Sequence, residues 1–192
     1  HKSGAIIHLA ALQVPFCKAN PILGAQVNVV GTTNVLEAAR ENGIKRLAYA
    51  SSIAAHGVFN PDTVSTLYGA YKFCNEETAK VYMQDWGVPS TCLRPGVVYG
   101  VGRDQGMTSK TTAAILAAAM KRAYTVPFNG PVSWLHAGEV ASAFIKSVSK
   151  PRDEARVFDI NGVIATVAHR MCKLAALCHS SPSVEASRKP AA

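Results

Sequence analysis

The 192-residue chain has no C-x-x-C pair, no basic run and no apolar stretch approaching a membrane span. The longest apolar run, AAILAAAM at 113–120, falls well short of the ~20 residues a spanning helix needs. A membrane partner is therefore not expected. Five cysteines, at 17, 74, 92, 172 and 178, leave an odd number, which suits reduced thiols and a cytoplasmic setting better than a disulfide scaffold. His169, Cys172, Cys178 and His179 cluster, but their spacing fits no common zinc pattern, and no metal is expected. Acidic residues are scarce, 12 against 20 basic ones, for a net charge of +8. The adjacent basic residues are three separated pairs, Lys45-Arg46, Lys121-Arg122 and Arg188-Lys189, without aromatic interleaving. That argues against nucleic acid and for a solvated surface with a mild attraction for anionic ligands. No secretory leader is legible in HKSGAIIHLAALQVP.

What is there is an alternation of apolar runs and helical patterns. Hydrophobic residues make up 48% and charged ones 17%, enough for a globular domain with a real core. AIIHLAA at 5–11 reads as a buried parallel strand. Asn20-Pro21 opens a helix that runs to a stop at Gly43, and IKRLAYASS at 44–52 is a second strand. A helix from Leu67 to Trp86 ends at Gly87, and VPSTCLRPG gives a third strand. The loop VYGVGRDQG precedes an alanine-rich helix over about 109 to 122. WLHAGEVASAFIKSV feeds another helix, RVFDING is a strand and VAHRMCKLAAL a last helix. The tail 179–192, rich in Ser, Pro and Ala, reads as disordered. Alternating strands and helices imply an α/β fold, a doubly wound parallel sheet with ligands beyond the C-terminal strand ends. HLAA, SS and RPG all fall at such ends.

One stretch carries chemistry. STLYGAYKFCNEE, residues 65–77, places Tyr68 and Lys72 one turn apart where a helix begins. An ammonium at that spacing would lower a phenol's pKa from its usual ~10 and make it a proton acceptor. The bland alternative is a boundary aromatic beside a solvated lysine.

These residues belong to a larger pattern. HLAA at 8–11, NVVGTTNVLEAA at 28–39, ASSIAAHG at 50–57, YGAYK at 68–72 and LRPGVVYG at 93–100 occur in the order of the extended short-chain dehydrogenase/reductases, the NAD-dependent epimerase/dehydratase group. The chain resembles that family over about residues 4 to 165. The resemblance implies a Rossmann-like domain over 1–178, with a small substrate-binding part around 100–178, and NAD or NADP as cofactor. Tyr68 would be the catalytic acid/base. Lys72 would hold the nicotinamide ribose and stabilise the tyrosinate, and Ser52 would hydrogen-bond the reacting oxygen. Ser51 and Tyr71 are the neighbouring rivals. Leu9, Ala10 and Ala11 would line the nucleotide's path, and Pro95, Gly96 and Val98 would present backbone to the carboxamide. Asn28 would sit on the helix below the cofactor, or anchor that helix internally.

Departures from the family pattern narrow the reading. The glycine-rich turn G-x-x-G-x-x-G that binds pyrophosphate is not among these residues, so the first strands of the fold read as missing and the chain alone as inactive. Ile53-Ala54 replaces the acidic pair of the dehydratases. Val132 stands four residues before His136, where the family has a phosphate-clamping arginine; Arg103 is the substitute cation for a sugar-like substrate. The gap from Ser52 to Tyr68 is short for the family. The reading is an oxidoreductase or epimerase working by Tyr–Lys–Ser hydride transfer, with a non-catalytic binding protein on the same scaffold as the alternative. A serine hydrolase lacks its G-x-S-x-G elbow. The family's usual pairing implies, for the complete protein, a homodimer through the helices at about 22–42 and 67–86, with Val27, Val35, Val81 and Met83 in the packing.

Overall fold

The computed structural model describes residues 4–60, 62, 64–177 and 184–186. In chain order the elements are β1 (Ile6–His8), α1 (Val14–Ala19), α2 (Pro21–Ala25), a π-helical turn (Gln26–Val30), α3 (Gly31–Glu41) and β2 (Leu47–Ala50). A 3-10 helix (Ile53–Val58), α4 (Leu67–Trp86), β3 (Ser90–Pro95) and β4 (Val97–Tyr99) follow. A 3-10 turn (Met107–Ser109) leads into α5 (Lys110–Ala119), β5 (Tyr124–Val126), β6 (Pro131–His136) and α6 (Ala137–Ser147). The last elements are β7 (Ala155–Ile160), β8 (Val163–Thr166), α7 (Val167–Leu177) and β9 (Val184–Ala186). They divide into two compact units, His1–Pro95 with Glu139–Ile160 and Gly96–Gly138 with Asn161–Ala192.

The first unit is an α/β layer structure around a four-stranded sheet in the order β1-β2-β3-β7. All three pairings are parallel. At β2 both faces are covered, which is why LAYA reads as an unbroken apolar run. In β2, Leu47 and Tyr49 point to a cluster with Leu36 and Ala39 of α3 and Ala79 and Tyr82 of α4. The alternate residue Ala48 points to the other face, where Leu93 and Phe144 of α6 pack. This is the parallel, helix-flanked α/β architecture expected from the sequence, consistent with a Rossmann-like fold.

Helix α4 matches its expected span to the residue. Thr66 caps it, its hydroxyl oxygen accepting from the Gly69 N–H at 3.0 Å, and Gly87 ends it at φ +63°. The helix expected from Asn20 to Gly43 is instead α2, the π-helical turn and α3 in succession. The wide turn frees the Asn28 carbonyl, which accepts from Asn75 Nδ2 at 2.9 Å and Thr32 Oγ1 at 2.7 Å.

In the second unit, β4 pairs parallel with β6, β6 pairs antiparallel with β8, and β5 pairs parallel with β9. Its core gathers Val97, Ala114, Val126, Val132, Trp134 and Met171. The strands β4, β5 and β8, of three or four residues, are too short to show a period. Most of the tail read as disordered lies outside the described residues; Val184–Ala186 within it form β9. Cys178 and His179 lie outside them too. No helix among the described residues is long and apolar enough to cross a membrane.

Candidate active site

The site builds up from the C-terminal end of β2. The Ala50 carbonyl there accepts a hydrogen bond from Lys72 Nζ at 2.5 Å. Lys72 is 3% exposed, and burial pulls its ammonium down to about 8, although Cys92, Cys17 and Glu76 favour the charged form. Tyr68, half-buried, lies one turn earlier, with Lys72 Nζ 5.7 Å from its ring centroid. The sequence spacing has become a physical pair.

Glycine fixes where that pair sits. A Cβ on Gly69 would run into the backbone carbonyl of Ala54. Only a glycine lets the first turn of α4 lie this close to the 3-10 helix that Ser52 begins. Ser52 is half-buried and caps that helix, its Oγ accepting from the Ala54 N–H at 3.1 Å. That bond leaves the serine's own hydroxyl hydrogen for another acceptor.

Its neighbour is committed elsewhere. Ser51 is buried and donates its hydroxyl to Glu76 Oε1. Glu76, 1% exposed, is held by Arg94, whose Nε donates to Oε1 at 2.8 Å and whose Nη2 pairs with Oε2. Arg94 Nη1 also lies 3.6 Å from Asp159 Oδ1, and His56 Nε2 is 3.0 Å from the same oxygen. The serine strand-end is thus gripped by α4 at Lys72 and Glu76 and tied across to β7 through His56. Sequence reasoning missed Glu76, Arg94, His56 and Asp159. One signal was available: Tyr68, Lys72 and Glu76 are spaced four apart, on one helix face. Tyr71, the rival tyrosine, donates its hydroxyl to the Pro21 carbonyl at 3.0 Å and braces α4 against α2.

The remaining expected residues fall in several places. Leu9 (58% exposed) and Ala10 are exposed beyond β1, and Ala11 is half-buried. His8, beside them, is held below the usual histidine range by burial and then by the charge of Lys72. Asn28 is fully buried, and its side chain accepts from the Leu12 N–H at 2.8 Å and donates to the Leu12 carbonyl at 2.9 Å. Its side chain therefore anchors the segment after β1, the internal alternative. Pro95 ends β3 in the first unit. Gly96, Val98 and Arg103 belong to the second unit. Gly96 packs on Ser133, and Val98 pairs with Leu135. Arg103 is turned onto its own loop, donating to the Gln105 carbonyl and, at 3.3 Å, to Thr108 Oγ1. No group of three or more His, Cys, Asp or Glu among the described residues is placed to hold a metal.

Residues 1–161 match the NAD dependent epimerase/dehydratase family. The chain belongs to it. Among curated relatives, a putative UDP-glucose 4-epimerase of Methanocaldococcus jannaschii is 28% identical over 157 residues, 75% of this chain and 52% of that protein. An uncharacterized 37.6 kDa protein of Escherichia coli O111:H- is 37% identical over 115 residues, 55% of this chain and 34% of its own length. The chain thus spans about a third to a half of these two relatives. The family's fold is equally plain in solved structures. UDP-glucose 4-epimerase from Thermotoga maritima, solved with UDP-glucose, superposes with a TM-score of 0.84 at 21% identity, covering 100% of this chain and 66% of that one. L-threonine 3-dehydrogenase from Trypanosoma brucei gives 0.85 at 23% identity, covering 98% and 63%.

Proposed function

We propose that this family member is an NAD(P)-dependent oxidoreductase or epimerase acting on a hydroxyl or carbonyl of a sugar-like, nucleotide-linked substrate. The observation that carries the reading is the buried Lys72 ammonium, one turn from Tyr68 and bonded to the end of β2. The donor set fits a nicotinamide ribose. Lys72 Nζ has three N–H groups, and its bond to Ala50 uses one, leaving donors for vicinal hydroxyls. A bound nicotinamide would supply the hydride acceptor or donor. The protein's own residues do the rest. Tyr68 Oη takes the proton of the substrate hydroxyl, Lys72 holds the resulting phenolate charge, and the Ser52 hydroxyl donates to the reacting oxygen.

Names of relatives support the substrate class, the putative UDP-glucose 4-epimerase above all. The 192 residues contain no G-x-x-G-x-x-G turn, so by themselves they should bind the cofactor weakly, with Kd above the micromolar range, and turn over poorly. The reading also includes a homodimer for the completed protein. An open apolar groove on the outer face of α4 is lined by Val58, Phe73, Val81, Tyr82 and Trp86. Val81 and Trp86 are exposed there, the kind of helix face a second copy covers.

The test is a panel of UDP-sugars incubated with millimolar NAD or NADP and the protein completed with a glycine-rich strand–turn–helix. Reduced nicotinamide is followed by absorbance and epimers by NMR. Conversion of at least one nucleotide sugar supports the reading. No conversion of any of them, with cofactor binding shown by calorimetry, would contradict it.

A further inference from the structure

Lys72 and Glu76 are the two fully buried charged side chains among the described residues, at 3% and 1% exposure. They stand one turn apart on the same face of α4. Each meets one of two consecutive residues at the end of β2. Lys72 donates to the Ala50 carbonyl at 2.5 Å, and Glu76 accepts the Ser51 hydroxyl. Glu76 is held in turn. Ser51 is fixed by its own N–H, which donates to the Leu93 carbonyl at 2.8 Å, and Arg94 Nε donates to Glu76 Oε1 at 2.8 Å.

The surroundings of Lys72 contain little else that could balance its charge. It faces His8 on β1, Cys17 on α1 and Cys92 on β3, besides Tyr68 and Glu76 on its own helix. Tyr49 of β2 stands in register with His8 and Cys92, on the same face of the sheet. Near pH 8, where Lys72 titrates, these four groups from the sheet and α1 are neutral. Burial pushes the Cys92 thiol up to about 12, raises the Cys17 thiol, and pushes the Tyr49 phenol well above its usual range. Burial and then the charge of Lys72 hold His8 below the usual histidine range. The two cysteines could favour the ammonium only as thiolates. That leaves Glu76, a carboxylate paired with Arg94. Arg94 is 16% exposed and Glu76 1%, so water screens the cation more than the anion.

We infer that Glu76, anchored by Ser51 and Arg94, is a positioning residue for Lys72: it supplies the buried anion that holds the ammonium at the end of β2, beside Tyr68. That this serves proton transfer at Tyr68 rests on the functional reading above; the hold on Lys72 does not.

The sign of one shift separates this role from that of a structural ion pair. Loosening α4 would admit water and raise the Lys72 midpoint toward 10.5, whereas removing the anion alone lowers it. The chain labelled with carbon-13 lysine is titrated by NMR, the Lys72 resonance being identified by its absence in Lys72→Met. Glu76→Gln keeps an acceptor for Ser51 and removes the charge, and its Lys72 midpoint should fall by roughly one pH unit. An unchanged or raised midpoint in folded Glu76→Gln overturns the inference. Should Glu76→Gln not fold, the Glu76→Gln/Arg94→Met pair, which strands no buried charge, is titrated instead and must show the same sign. In the protein completed with a glycine-rich strand–turn–helix, the alkaline limb of kcat against pH should move down with the midpoint. A limb that stays put while the midpoint falls overturns the link to turnover and leaves the hold on Lys72 standing. No turnover in the completed parent would count against the functional reading and leave the NMR result untouched.

Discussion

Lys72 Nζ donates to the carbonyl of Ala50 at 2.5 Å, joining the first turns of α4 to the last residue of β2. The bond holds a cation under the strand ends where Ser52 follows in sequence. It is also costly, because the ammonium is buried.

That cost gives a pH signature. Lys72 titrates near 8 in the folded chain, against 10.5 ordinarily, because burial disfavours its charge. Between those values the unfolded chain binds more protons, so this group makes stability rise with pH. Below about pH 8 both states are protonated and the full penalty applies. Urea denaturation of the parent and of Lys72→Met should show the parent gaining on the variant from pH 8 to 10. A constant difference across that window would mean that Lys72 is not a buried charge.

Gly69 is the second test. Its missing Cβ lets α4 rest on the Ala54 carbonyl, and backbone cannot swing aside as a side chain can. Gly69→Ala should cost about 1–3 kcal/mol, as overpacking does. Gly31, in helical geometry with its nearest neighbour at 3.7 Å from an added Cβ, is the control. Gly31→Ala should be neutral or stabilise by up to about 1 kcal/mol. Equal effects in thermal melts would remove Gly69 from the account.

The groove on α4 predicts assembly. Val81, 46% exposed, lies in it, whereas Val35 packs inward on the first unit's core. Light scattering should give a dimer for the protein completed with its glycine-rich segment at micromolar concentration and a monomer for Val81→Glu in it, with unchanged circular dichroism. A completed protein that is monomeric throughout would contradict the pairing.

The core of the first unit was legible at β2, whose LAYA is covered on both faces and so reads as an apolar run. The boundaries of α4 were legible because Thr66 and Gly87 are ordinary caps. Other features needed tertiary information. Asn28 looks like any polar helix residue until Leu12 and Asn75 are brought to it. Ser51 and Ser52 are adjacent and chemically alike, and only the arrival of Glu76 distinguishes them. Helix α1 hid behind Pro15, which reads as a break but stands in the first turn, where its missing N–H costs nothing. Arg103, singled out from sequence by its charge alone, donates to Gln105 and Thr108 of its own loop, contacts that charge patterning does not reveal.

The central claim is that Tyr68 moves the proton. The most direct measurement compares turnover of the protein completed with a glycine-rich strand–turn–helix and of its Tyr68→Phe variant on a nucleotide sugar at saturating NAD, with cofactor affinity measured in parallel. Removing only the hydroxyl should lower kcat by ~10²–10⁴-fold, the worth of a positioned acid/base, while NAD affinity stays within about twofold because Lys72 remains bonded to Ala50. Full turnover in Tyr68→Phe would contradict the account.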